Sequence, residues 1–330
     1  MSARGLHPLV LVLPAVLVAA VALVSGAYPL ALSDALSALL AGPAAAGEAG
    51  TVVWKLRLPR ILAGLLVGMA LSVAGAAYQG MFRNPLVSPD ILGVSAGAGA
   101  GASIAILLGL PIAAVQGAAF TGGMLAVGSV YAVASRIRYH DPVLVLVLAG
   151  VAVGTLFGAA ISLTKVLADP SVELPSITFW LLGGLNSVSI DDLAVAAPLI
   201  LCGLAPMWLL RWRINLLTLS DDESASMGIN VVRLRLALIA CATLMTAAAV
   251  SIAGIIGWIG LVVPHAARLL VGPEFSRLLP ATALLGGAFL VAADTLARSA
   301  ASIELPLGIL TALVGAPVFL WLLARSGRQA

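Results

Sequence analysis

The chain has 330 residues, of which 62% are hydrophobic and 9% charged, with a net charge of +3 and a mean hydropathy of +1.14. Soluble globular domains are about half apolar and about a quarter charged, so a soluble enzyme or binding module is excluded. In lipid every backbone polar group must be satisfied internally, which leaves helices or closed barrels, and the continuous Leu, Val and Ala runs lack the alternation of barrel strands. At about 20 apolar residues per crossing the length accommodates about ten spans, with nothing over for a soluble domain. The expectation is an all-α polytopic membrane protein with residues 1–330 forming a single transmembrane domain.

In chain order, spans are expected at 8–27, 59–80, 92–108, 112–135, 142–166, 191–210, 231–252, 255–270, 279–298 and 305–324. Arg4 and His7 precede an apolar run in the manner of a signal peptide, but the run is long enough to span and reads as a retained first helix. Residues 28–55 read as a loop. The segment LPSITFWLLGGL (174–185) is too short to cross and reads as a half-helix at the membrane surface, closed by Gly183 and Gly184. Several spans are short and interrupted by Pro or Gly, as in helices that line a cavity. Gly93, Gly97 and Gly101 recur every four residues on the third span, and Gly150, Gly154 and Gly158 on the fifth. Such faces let helix backbones approach closely, so tight packing is the favoured explanation. The alternative, the wall of a pathway, fits the fifth span better because a charged loop precedes it. An offset of 179 aligns Ser72 with Ser251, Ala74 with Ala253, Gly75 with Gly254, Pro85 with Pro264 and Gly93 with Gly272, which suggests an inverted repeat.

Orientation follows from lysine and arginine. With the N-terminus inside, Arg4, Arg83, Arg136, Arg138, Arg211, Arg213, Arg233, Arg235, Arg268, Arg277, Arg325 and Arg328 are cytoplasmic. Lys55, Arg57, Arg60, Lys165 and Arg298 are outside. Both termini are then cytoplasmic, and Arg57, Arg60 and Arg298 stand as basic residues on the disfavoured side.

Residues 211–235 hold Arg211, Arg213, Asp221, Asp222, Glu223, Arg233 and Arg235 in an otherwise charge-poor chain. Lipid rejects such a cluster. The stretch reads as two short amphipathic helices broken at Gly228, either a protein-contact island or an ordinary solvated loop.

Chemistry of its own is missing. Neither lysine, Lys55 nor Lys165, follows a phosphate-cradling glycine loop, so nucleotide hydrolysis by that route is excluded. His7, His140 and His265 lie far apart, and Cys202 and Cys241 lack metal-ligand spacing. His265, following Pro264, reads as a helix-end hydrogen-bonding residue. Asp294 and Arg298 are one turn apart and read as a helical ion pair. A membrane-embedded enzyme lacks a catalytic set, and a self-sufficient ion-coupled secondary transporter lacks an evident mid-membrane carboxylate. No cofactor, metal or nucleic-acid partner is expected.

Two stretches carry a resemblance: RLPRILAGLLVGMALSVAGAAYQGMFRNPLVSPDILGVSAGAGAGA (57–102) and SIAGIIGWIGLVVPHAARLLVGPEFSRLLPATALLGGAFLVAADTLAR (251–298), the latter continued by ELPLGILTALVGAPVFLWLL (304–323). They resemble the permease subunits of ABC importers for iron–siderophores, haem and vitamin B12, the FecCD-type permeases. The resemblance implies a type II ABC importer permease fold of ten helices, in a bacterial cytoplasmic membrane. It further implies pairing with a second permease subunit, a homodimer or close heterodimer, two cytoplasmic ABC ATPases that bind the ATP, and an extracytoplasmic substrate-binding protein. Iron complexes lead as cargo, with haem and cobalamin as alternatives. By the same resemblance Asp222, Glu223, Ala225 and Gly228 belong to the coupling region for the ATPase. Arg57, Arg60 and Arg298 receive acidic residues of the binding protein. The path and its gate lie along the fifth span at Pro142, Val143, Leu144, Gly150, Gly154 and Gly158.

Overall fold

The computed structural model describes residues 6–26, 28–43, 47–137, 142–300 and 303–326; Arg4, Arg138, His140 and Arg328 lie outside these. A 3-10 turn at Pro8–Leu11 leads into α1 (Val12–Val24), followed by α2 (Leu32–Ala41). A continuous 34-residue helix from Glu48 to Met81 comprises α3 (Glu48–Thr51), a π-helical stretch (Val52–Arg57) and α4 (Leu58–Met81). After a 3-10 turn at Pro89–Leu92 come α5 (Val94–Leu107), α6 (Ile112–Ala134), α7 (Pro142–Leu167), α8 (Glu173–Leu182) and α9 (Ile190–Leu216). The chain ends with α10 (Asp221–Ser226), α11 (Val231–Ala253), α12 (Ile259–Val271), α13 (Phe275–Ala297) and α14 (Leu307–Ser326).

Among the described residues six helices are long and apolar enough to cross a bilayer: Glu48–Met81, α6, α7, α9, α11 and α13. Shorter apolar helices, α1 with its 3-10 turn, α5, α12 and α14, occupy the other four expected spans. The stretch 28–55 is not a loop. It contains α2, whose Leu32, Leu36 and Leu40 are exposed while Ala35 and Ala38 are buried, and the Trp54 indole N–H donates to the Ala38 carbonyl (2.9 Å). The half-helix expected near 174–185 is α8, and Gly183 stops it with φ +69.

The interior is built on α4 and α11, with 78% and 72% of their apolar windows buried, against 22% for the peripheral α7. Glycine decides how closely the central helices cross. A Cβ at Gly68 would overlap the Gly286 carbonyl of α13, one at Gly75 the Gly260 carbonyl of α12, and one at Gly97 the Gly122 carbonyl of α6. These are backbone-on-backbone contacts of the kind that drive association in lipid. Ser72 is satisfied there by the Gly68 (2.6 Å) and Thr282 (3.0 Å) carbonyls, the latter tying α4 to α13. A buried hydroxyl without such partners would be destabilising.

Packing also shows the two-fold relation between halves. The succession long, short, long occurs in α4–α6 and again in α11–α13. Moreover α4 packs on α13 as α11 packs on α6, and α4 on α12 as α11 on α5. The residue offset of 179 does not carry this relation. It matches Gly75 inside α4 with Gly254, the left-handed residue that ends α11, and Pro85 in a turn with Pro264 inside α12. The repeat is one of helix order and packing; the aligned small residues coincide because both halves are rich in them.

Candidate functional site

At one end of α4 the three arginines converge. Pro59 has no N–H for the fourth preceding carbonyl, and beside it the Leu58 N–H reaches five residues back to Val53, as a π-turn does. Arg57 is thereby turned inward and buried, and donates to the Leu23 and Tyr28 carbonyls; Arg298 donates to the Ala22 carbonyl. Two cations therefore cap the last turn of α1, where carbonyls lack helical partners and the helix dipole is negative. Gly26, at φ +141, passes so close that a Cβ would lie 2.9 Å from Arg298 Nη1. Arg60 faces the other way. Its Nε donates to both Asp294 oxygens (2.8 and 3.0 Å), and Nη1 and Nη2 donate to Glu304 Oε1 and Oε2 (3.0 and 3.2 Å). Asp294 also pairs with Arg298 at 3.6 Å, the expected one-turn ion pair. Beside this cluster lies a cavity of about 490 Å³, whose lining includes Arg60, Gln116, Trp180, Asn186, Ser251 and Glu304.

At the opposite end, α4 closes with a Schellman turn: Asn84 N–H to the Gln79 carbonyl (3.1 Å) and Arg83 N–H to Gly80 (3.3 Å). Arg83 occupies the left-handed position usually given to glycine, at φ +50. That aims its side chain at the Leu217 carbonyl (3.0 Å) and at Asp221 (2.5 Å). Arg235, from the first turns of α11, grips the same carboxylate with two bonds of 2.8 Å. Hydrogen bonding from Arg235 first, then the fields of Arg235 and Arg83, holds the Asp221 carboxyl below the usual carboxylate range.

Residues 211–235 thus contain one short helix of their own, not two. Arg211 and Arg213 ride on the end of α9, while Arg233 and Arg235 ride on the start of α11, which Asn230 caps by accepting from the Arg233 N–H (3.0 Å). A capping box starts α10: the Glu223 N–H donates to Ser220 Oγ (3.2 Å), and Ser220 N–H and Oγ–H donate to Glu223 Oε2 (2.9 and 2.8 Å). The Ser220 backbone N–H is the main reason the Glu223 carboxyl is held low. Gly228 ends α10 in a second Schellman turn at φ +80, with Ile229 N–H on the Ser224 carbonyl (3.2 Å). Ser224 is buried and donates to Leu216 O (2.6 Å), so Asp222, Glu223, Ala225 and Gly228 are left exposed.

The α7 positions divide. A Cβ on Gly150 would overlap the Ile91 carbonyl, and the Gly154 backbone lies against Gly93, so these two pack on the Pro89–Gly93 turn; Gly158 has open space beside it. Leu144 is exposed and Val143 half-buried at the start of the helix that Pro142 opens. His265 is buried within α12 rather than at its end, edge-on to Phe319 with ring centroids 6.3 Å apart. Among the described residues no cluster of His, Cys, Asp or Glu could hold a metal ion.

Sequence reasoning missed Glu304 as the partner of Arg60, and the Arg83–Asp221–Arg235 clamp. The acidic residue and basic residues were visible, but separations of 244 and 138 positions offer no periodic signal.

Comparison with known proteins identifies the family. The sequence profile of the FecCD transport family matches residues 13–325. The chain is 45% identical over 308 residues to the cobalamin import permease BtuC of Halobacterium salinarum, covering 92% of this chain and 82% of that one. It is 39% identical to the hemin transport permease HmuU of Yersinia pestis, covering 84% of each. A solved inward-facing metal-chelate-type ABC transporter superposes with a TM-score of 0.87 at 34% identity, over 96% of this chain and 98% of that one. The chain belongs to the FecCD transport family and is a membrane permease subunit of an ABC importer.

Proposed function

We propose that this permease moves a bulky metal chelate (an iron–siderophore, haem or cobalamin) from an extracytoplasmic binding protein into the cytoplasm. It acts as one membrane domain, with both termini cytoplasmic in a bacterial inner membrane and a second copy completing the path along α7. It catalyses no reaction; two ATPase subunits hydrolyse ATP and engage the exposed Asp222, Glu223, Ala225 and Gly228. Arg57, Arg60 and Arg298 form the docking end. The observation that carries this reading is the build of the two ends of α4: a largely buried arginine cluster, with Arg60 beside a cavity, at one, and at the other a short helix whose outer face is exposed while Asp221 fastens it to α4 and α11. The similar proteins' cargoes, cobalamin and hemin, support the chelate class.

Proteoliposomes test it. Uptake of labelled cobalamin, haem or ferric siderophore should require the ATPase, ATP and the binding protein together. Uptake by the permease alone along an ion gradient would refute the reading in favour of a secondary transporter.

A further inference from the structure

Arg60 is held by two carboxylates that differ in one decisive respect. The Asp294 side chain is 5% exposed, lies within α13 and also faces Arg298, so it is built into the helix packing. The Glu304 side chain is 46% exposed and belongs to the connection before α14, where the Leu305 N–H reaches the Ala297 carbonyl (3.2 Å) and the Leu307 N–H reaches Gly183 (2.9 Å). Glu304 takes the outer fork of the guanidinium with both oxygens. That two-toothed geometry suits any incoming carboxylate equally well. Arg60 is only 14% exposed, but the Glu304 half of the pair is open to water, so another carboxylate can take its place on the outer fork without uncovering the guanidinium.

We propose that Glu304 is an internal stand-in for a carboxylate of the docking protein: it occupies Arg60 in the undocked permease and yields it on docking. The inference rests on the docking reading above. Charge favours the exchange. Once Glu304 has left, Asp294 alone among the described carboxylates still pairs with Arg60 and Arg298, and an acidic partner meets a stronger positive field. The exchange is also felt inside the permease. Ile303 to Leu307 line the cavity, and Leu307 hangs on Gly183, whose neighbour Gly184 donates to the Ala253 carbonyl at the end of α11 (2.9 Å). Releasing Glu304 therefore removes a side-chain tie from one wall of the cavity mouth, which the Leu305 and Leu307 backbone bonds still hold where α8, α11 and α14 meet.

The test uses the assembled permease–ATPase complex in nanodiscs, with a labelled tetraglutamate peptide and then the importer's binding protein as probes. Glu304→Gln should bind both about two- to five-fold tighter at low salt, the size expected from removing one exposed competing pair. The gain should vanish near 0.5 M salt, where screening is short-ranged, and Glu304→Asp should stay near wild type. Unchanged or weaker binding by Glu304→Gln, while Arg60→Gln loses binding, overturns the stand-in role alone. Wild-type binding by Arg60→Gln overturns the docking reading and this inference with it.

Discussion

Replacing Asp221 with alanine should detach α10 from the helices it touches. The carboxylate makes two 2.8 Å bonds to Arg235 and one of 2.5 Å to Arg83. Charge-assisted bonds contribute about 1.5–3 kcal/mol when shielded, but the Asp221 side chain is 48% exposed, which places the Arg235 arm near the low end. The more exposed Arg83 arm adds about 0.2–1 kcal/mol. A loss of about 2 kcal/mol follows, or about 30-fold in the fraction of time α10 is undocked. Amide hydrogen exchange across residues 221–226 reads this directly, and Ser224, buried against Leu216, should report it most strongly. Acid supplies a second reading. The Asp221 pKa is depressed in the folded state, so its stabilisation is complete above the ordinary carboxylate value near 4 and is lost as pH falls through the lowered folded value. Wild-type α10 should therefore keep its protection until the solution is more acid than about pH 4. In the variant, only the share owed to Glu223 should remain to be lost. Exchange in α10 that is identical in wild type and Asp221→Ala would refute the clamp.

Gly75→Leu should abolish accumulation of folded protein, and Gly75→Ala should lower the melting temperature through overpacking of about 1–3 kcal/mol against the Gly260 carbonyl; a wild-type melt in detergent would contradict the crossing. Gly228→Val should cost about 1–2 kcal/mol at a left-handed position. Membrane insertion should persist while transport-coupled ATP hydrolysis is lost, and wild-type stimulation would reject the coupling role. Cysteine at Leu144 should cross-link two copies of the chain in the closed state and block transport, whereas labelling only by lipid-phase probes would make the start of α7 a lipid-facing surface.

Each of the ten expected spans meets an apolar helix, because an apolar run is legible whatever its neighbours, although among the described residues six of those helices have the length to cross a bilayer. The α2 helix was not legible: ten residues with Ser33, Asp34 and Ser37 read as loop, although Leu32, Leu36 and Leu40 already had helical spacing. The arginines show the limit most clearly. Charge counting alone singled them out, as the basic residues that an N-inside orientation leaves on the disfavoured side. That Arg57 and Arg298 are bound to the end of α1 was not, because their partners are backbone carbonyls, which leave no trace in residue identity. Glycine spacing was legible as close approach but not as its purpose. The same four-residue period places Gly150 against another backbone and Gly158 beside open space. The charged island was found by density, yet its division at Gly228 misplaced one helix, since nothing local says that α11 begins only two residues beyond the Schellman turn.

The glycine crossings of α4 and α5 bear on how this protein can move. Helices that meet through long side chains slide by flipping rotamers, each flip absorbing a small displacement. At Gly68, Gly75 and Gly97 there is no rotamer to flip, because carbonyl and Cα groups of facing helices already touch. Sliding there would demand that the helices first separate, giving up contacts that nothing in a lipid interior replaces. Two stiff blocks result, α4 with α12 and α13, and α5 with α6, which tilt whole or not at all. Compliance is left to the periphery, where α7 exposes Leu144, Leu148, Val151 and Leu156 and is only 22% buried along its apolar length. A push at one end of α4 should therefore be passed to the other end as by a strut rather than a spring.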